Sequence, residues 1–217
     1  MKLILKETPI IFKKEQSDEI IYKKYWKRAS DQYILFGSED YDFLGTNTVA
    51  QFKAKLKLYL DFTKSATTLN EIITCSRGKN TCCYLNNGNE FCFRNFAASD
   101  SVANVPNLLP NDYEFYINNE NGIMNVNGTN YTYESVSAAS QSSYITLYAD
   151  AYKLTGTTAT PYSERSKFSQ FILLDPSGVN ELINIRPAIV NGSPCLYDSI
   201  SKKQFYSVDG STLQLSD

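Results

Sequence analysis

Residues 50–62 read AQFKAKLKLYLDF, which places Phe52, Ala54, Leu56, Leu58 and Leu60 on one side of a two-residue period and Lys53, Lys55, Lys57 and Tyr59 on the other. A period of two marks a strand with one face in a core and the other facing solvent or a partner. A meander follows it. Strands are predicted over residues 71–75, 81–85 and 90–96, joined by turns at Arg77-Gly78-Lys79-Asn80 and Asn86-Asn87-Gly88-Asn89. With four-residue loops, Cys75 falls opposite Cys82 and Cys83 opposite Cys92, as reduced cross-strand pairs. Residues 97–111 lack periodicity, carry two prolines and read as a surface loop. Residues 112–118 and 122–126 form a hairpin, and Asn127-Gly128 turns the chain into a strand over 129–134. Another alternating strand is predicted over 143–149, and the polar stretch 153–166 projects from one end. Strands over 167–174, 181–189, 193–198 and 204–208 complete the series, with turns at Pro176-Ser177-Gly178, Asn191-Gly192 and residues 199–203.

Strands at this spacing, each bounded by turn residues, predict an all-β, two-sheet antiparallel sandwich over residues 31–217. Ahead of it lies an arm, residues 1–30. Residues 2–6 and 10–14 are short extended pieces interrupted by Pro9, and Ser17-Asp18 would cap a short helix through Tyr22, Tyr25 and Trp26. The single tryptophan is expected to pack the arm onto the sandwich rather than to stack on a ligand.

Composition agrees with strands and polar turns: 13% of residues are aromatic and only 20% charged. The net charge of −2 conceals an asymmetry. The arm holds eight basic and four acidic residues, net +4, so the rest holds 13 basic and 19 acidic, net −6. The arm's lysines are interleaved with Glu and with the apolar pairs Ile10-Ile11 and Ile20-Ile21, which suits docking on protein better than nucleic acid. No apolar run reaches the ~20 residues of a membrane span, and the stretch after Met1-Lys2 is too short for a signal peptide. Synthesis in the cytoplasm is therefore expected, without membrane insertion.

The five cysteines show no Cys-x-x-Cys spacing and there is no histidine, so neither a metal centre nor a cofactor is expected. The same absence removes Ser/His and Cys/His catalysis. Glu39-Asp40-Tyr41-Asp42 is the densest acidic cluster, but its neighbouring carboxylates alternate in direction, which does not suit catalysis. Asp150, Tyr152, Tyr162 and Arg165 bracket the projecting loop with an aromatic and hydrogen-bonding composition suited to sugar, and they are the candidate ligand site.

The tail carries an order of pieces with a resemblance of its own. A strand FSQFILLD and a turn PSGVNE lead into a strand ending at Arg186-Pro187, an Asn191-Gly192 turn, Leu196-Tyr197-Asp198, and Lys203-Gln204-Phe205-Tyr206. This resembles the C-terminal signature of the concanavalin A-like, LamG-like lectin domains found in virion proteins of tailed phages and in prophages of gut bacteria. Residues 112–133, with their Asn-Gly turns, are similar to an earlier hairpin of that family. The resemblance implies a jelly-roll sandwich in which Tyr197 and Phe205 pack as a cross-strand pair and Asp198 closes the following turn. Glycosidases on that fold use a Glu-x-Asp-x-x-Glu run, which this chain lacks, so it is expected to be non-enzymatic.

What the resemblance implies in function is a virion structural subunit, such as a head fibre, decoration or tail appendage, whose sandwich faces outward toward a cell-surface glycan. The rival is a free carbohydrate-binding module with no assembly role. In the virion reading Leu3, Leu5, Ile10 and Ile11 anchor the arm to other virion proteins or in a homo-oligomer, with a trimer as the expected state.

Overall fold

The alternating lysine strand lies at the middle of the larger of two sheets. A computed structural model describes residues 18–29, 32–37, 53–64, 70–75, 81–85, 90–95, 101–106, 108–133, 144–150, 158–159 and 164–217. Among them there is no helix, and every strand pairing is antiparallel. In the larger sheet, β4 (Lys53–Leu60) lies between β9 (Asn111–Asn118) and β15 (Ser166–Leu174). Beyond β9 come β10 (Ile123–Val126) and β11 (Thr129–Thr132). Beyond β15 come β16 (Glu181–Val190), β17 (Ser193–Asp198) and β18 (Gln204–Phe205). The smaller sheet runs β3 (Ile34–Gly37), β12 (Tyr144–Leu147), β5 (Asn70–Cys75), β6 (Thr81–Leu85), β7 (Glu90–Asn95) and β8 (Ser101–Pro106). A ribbon of β13 (Ala149–Asp150) and β14 (Thr158–Ala159) is separate from both. The all-β, two-sheet antiparallel sandwich expected from the sequence is the fold observed.

Aromatic pairs join the layers. Phe91 on β7 stacks on Phe115 of β9 with ring centroids 3.9 Å apart, and Phe36 on β3 meets Phe205 on β18 edge-on at 4.7 Å. Phe93 packs against Tyr133 at 4.9 Å in the same core. Each such ring removed from water is worth roughly 1.5–3 kcal/mol, so the inter-sheet aromatics carry much of the drive to form two layers. On β4 the period of two is realised: Ala54, Leu56, Leu58 and Leu60 are buried while Lys55, Lys57 and Tyr59 are half-exposed. Lys53 departs from it. Its ammonium is drawn onto Glu120 at 2.7 Å and onto the Pro176 carbonyl, and only 7% of the residue is exposed.

Residues 20–27 do not form the expected helix. They are two strands, β1 (Ile20–Tyr22) and β2 (Tyr25–Lys27). The aromatic spacing suited either period, and tertiary pairing decides between them. β15 and β16 pair from Leu174–Glu181, beside their hairpin turn, to Phe171–Ile185 and then diverge. β2 lies on β15 at Phe168, β1 lies on β16 at residues 188–190, and β19 (Gln214–Ser216) lies on the far side of β2. The N-terminal strands fill the fork. Asp18, expected to cap a helix, instead accepts from the Asn191 side-chain amide at 2.7 Å and so braces the Asn191-Gly192 turn. Trp26 is fully buried beside Tyr148 and Phe168, which is the packing role expected of it.

Three further expectations are corrected. Part of the supposed loop 97–111 is the edge strand β8, whose Pro106 sits at its end, where a missing N–H costs no ladder bond. Cys75 faces Thr81 and Cys83 faces Phe93, one residue away from the register that would have paired the thiols, and the buried Cys83 and Cys92 form no disulfide. A bulge at Ile72 accompanies that shift and lets consecutive Ile72 and Ile73 both be buried. Finally, Phe205 lies opposite Leu196 and points into the core, whereas Tyr197 lies opposite Gln204 and belongs to a small apolar cluster with Ala188, Val190 and Cys195. Asp198 does close its turn: its carboxylate accepts from the Ile200 and Ser201 amides and from the Asn184 amide. Both Asn-Gly turns have the positive φ pair of a two-residue hairpin, 45° and 93° at Asn127-Gly128 and 49° and 85° at Asn191-Gly192.

Candidate functional site

Three strands build rows of side chains across the outer face of the larger sheet. Asp112 on β9, Tyr59 on β4 and Lys167 on β15 are in register, and the next row is Glu114, Lys57 and Gln170. Asp112 and Glu114 stand two residues apart on one strand, which puts both carboxylates on the same face. Between Phe168 and Gln170 a β-bulge adds one residue, Ser169, to the edge of these rows. The result is an open groove of about 300 Å³, lined by Lys24, Lys57, Asp112, Glu114, Asn127 and Ser169 among others. One wall is the start of β2 and the other is the Asn127-Gly128 turn.

The polar groups of the groove hold one another in place. Lys24 pairs with Asp112 at 2.9 Å and Lys57 with Glu114 at 3.0 Å. The Tyr25 hydroxyl donates to the other oxygen of Asp112 at 2.6 Å. Asn127 accepts from the Glu114 amide at 2.9 Å through its side chain and donates its own amide to the Glu114 carbonyl. Tyr25 and Tyr59 meet edge-on at 6.1 Å, and the Lys167 ammonium lies 5.2 Å and 4.7 Å from their ring centres. Partial burial works to raise the Asp112 carboxyl, but the hydrogen bonds from Tyr25 and Lys24 and the charges of Lys24 and Lys167 outweigh it and hold it below the ordinary carboxylate range. All four members of the two ion pairs remain about half exposed, so the pairs add little stability. Their value is orientation: donors and acceptors are fixed at the mouth of a groove.

This arrangement suits recognition better than bond cleavage. Glycoside hydrolysis needs one carboxyl to be protonated near neutral pH while its companion is ionised. The Asp112 carboxyl is held below the ordinary carboxylate range, the opposite of what a general acid needs, and Glu114 lies 3.0 Å from the Lys57 ammonium. Among the described residues no group of three or more His, Cys, Asp or Glu could hold a metal ion.

The sequence pointed to a different end of the molecule. Asp150 lies on β13, where the backbone pairs with Thr158, while Tyr152 and Tyr162 lie outside the described residues. Arg165 is buried, with its Nε donating to the Lys64 carbonyl at 2.9 Å and its guanidinium over Phe62, and loss of solvent lowers its pKa. Leu3, Leu5, Ile10 and Ile11, and the Glu39–Asp42 cluster, also lie outside the described residues. The groove went unread because it needs β9 beside β4 and needs Lys24 and Tyr25 in an extended segment. A legible trace was the Asp-x-Glu spacing at 112–114 on a predicted hairpin strand.

No family model matches the chain, and neither does any curated protein. Several solved structures are similar to it. A sialidase of Trypanosoma rangeli aligns at a TM-score of 0.41 and 11% identity over 60% of this chain and 22% of its own. A galectin of Caenorhabditis elegans aligns at 0.36 and 11% over 69% and 94%, and the binding domain of botulinum neurotoxin serotype C1 at 0.39 and 10% over 92% and 75%. The chain thus spans about a fifth of the sialidase. At such values the likenesses carry no functional argument, and the fold assignment stands on the strands and core described above.

Proposed function

We propose that this chain is a non-catalytic, lectin-like module that binds a glycan in the groove on the outer face of the larger sheet, and that it serves as an outward-facing structural subunit of a tailed-phage virion. The observation that carries the binding reading is the set of fixed, half-exposed polar groups around an open groove, with acceptors on Asp112 and Glu114 and donors on Lys24 and Lys57. Sugar hydroxyls need such alternating acceptors and donors, pre-oriented so that little ordering cost remains at binding. The virion reading is supported by the C-terminal resemblance, and by an arm whose Leu3, Leu5, Ile10 and Ile11 supply apolar surface for a neighbouring subunit.

A glycan array followed by titration calorimetry tests the groove. Asp112→Asn and Glu114→Gln should each weaken binding by about tenfold, equivalent to ~1.4 kcal/mol, while the melting temperature stays unchanged. Equal binding by parent and variants would remove the groove as the site, and a loss confined to Tyr152→Ala or Tyr162→Ala would move it to the projecting loop. The anchor is tested by deleting residues 2–14, which leaves β1 and β2 in place. The shortened chain should fold but be missing from purified particles, and its normal incorporation would sink the virion attachment.

A further inference from the structure

Resting on the glycan-binding reading, we infer that the groove selects an anionic sugar chain, one carrying carboxylate or sulfate groups, over a neutral one. The rows across β9, β4 and β15 bring Lys55, Lys57 and Lys167, and Lys24 reaches in from the segment before β2, against two carboxylates, Asp112 and Glu114. The carboxylates are each matched by one lysine. Among the described residues neither Lys55 nor Lys167 has a carboxylate within ion-pair distance. Asp61, at the end of β4, is turned to the Thr63 amide and hydroxyl instead. A chain with net charge −2 therefore still presents more cations than carboxylates on this face, with Asp61 counted.

Lys167 is the more telling of the two. Its ammonium rests over two tyrosine rings, at 4.7 Å and 5.2 Å from their centres, which holds a long side chain in one place without neutralising it. A positioned cation with no carboxylate at ion-pair distance among the described residues is suited to an anion carried by the ligand. Nucleic acid would also bring anions, but single strands bind by stacking bases on open aromatic faces. Here the Tyr25 ring is covered by Lys24 and Lys167 and is only 7% exposed, and Asp112 and Glu114 inside the groove repel a continuous phosphate backbone. Carboxylates among the lysines instead serve the hydroxyls between the charges of an acidic glycan.

The test compares tetragalacturonate, its methyl-esterified neutral counterpart, a sulfated heparin tetrasaccharide and oligo(dT) as titrants of the full chain. One of the acidic sugars should bind at least about tenfold more tightly than the neutral ester, and that margin should shrink severalfold between low and high salt as the charges are screened. Lys55→Gln combined with Lys167→Gln should erase the margin between acid and ester, and a margin that survives it would overturn the role given to these two lysines. Equal binding of ester and acid, insensitive to salt, would overturn the anionic preference and leave the lectin reading intact. Binding of none of the sugars would overturn both, and tighter binding of oligo(dT) than of either acidic sugar would overturn the assignment to a glycan. The salt dependence of the unaltered chain tests the charge preference without any substitution.

Discussion

Trp26→Ala is expected to cost about 3–5 kcal/mol of folding stability, the range for removing a fully buried large aromatic. The indole is fully buried, meets Tyr148 edge-on at 5.3 Å and Phe168 at 6.2 Å, and donates its N–H to Gln32. It is also the residue of β2 that pairs with both Phe168 of β15 and Leu215 of β19. A cavity there would lie where three strands of the larger sheet meet, leaving little freedom to collapse around it. Urea unfolding followed by far-ultraviolet circular dichroism measures the loss, since the substitution removes the only tryptophan. A shift worth under about 1 kcal/mol would mean that the fork is not part of the core.

The next largest effect is expected at Gln32, where Gln32→Ala should cost about 2–4 kcal/mol by leaving buried partners unsatisfied. Its side-chain oxygen accepts from the Trp26 indole at 3.2 Å and the Ala29 amide at 3.0 Å, and its amide nitrogen donates to the Ser211 hydroxyl at 2.8 Å and the Thr212 carbonyl at 2.9 Å. The backbone carbonyl of the same residue accepts from Arg28 at 2.7 Å, and Gln32 as a whole is 1% exposed. One amide thus ties β2, the approach to β3 and the approach to β19 into a fully used network. A double-mutant cycle isolates the indole bond. In a Trp26→Phe background the donor is gone, so Gln32→Ala should cost about 1 kcal/mol less than in the parent. Strict additivity would show that the hydrogen bond contributes nothing of its own.

The sheet-forming face of β4, the Asn127-Gly128 and Asn191-Gly192 turns and the closing role of Asp198 were all legible, because each depends on residues close in sequence. Period and turn chemistry are local, and the structure follows them. Residues 20–27 were misread as helix because Tyr22, Tyr25 and Trp26 fit two periods, and only the divergence of β15 from β16 decides for strands. The cysteine registers failed by one position, which alternation fixes in parity only when the loop length is known. The candidate groove was the least legible of all. Its members come from positions 24 to 169, and nothing local in the sequence announces that Asp112 will meet Lys24.

The fork also sets the order in which the molecule can be built. β1 and β2 are made before β4 and β9, yet their sheet partners are β15, β16 and β19, which are made after both. A ribosome that has completed both strands of the β9–β10 hairpin has neither Tyr148 nor Phe168 to place against Trp26, and β4 still lacks its neighbour on one side. The larger sheet therefore cannot close until residues 166–216 have been made. Pairings of such sequence separation are slow to find, so a nascent chain carries unpaired strand edges and uncovered aromatics until those residues arrive. Residues 166–216 act as a late clasp, and the window before they arrive is when this protein is most exposed to self-association.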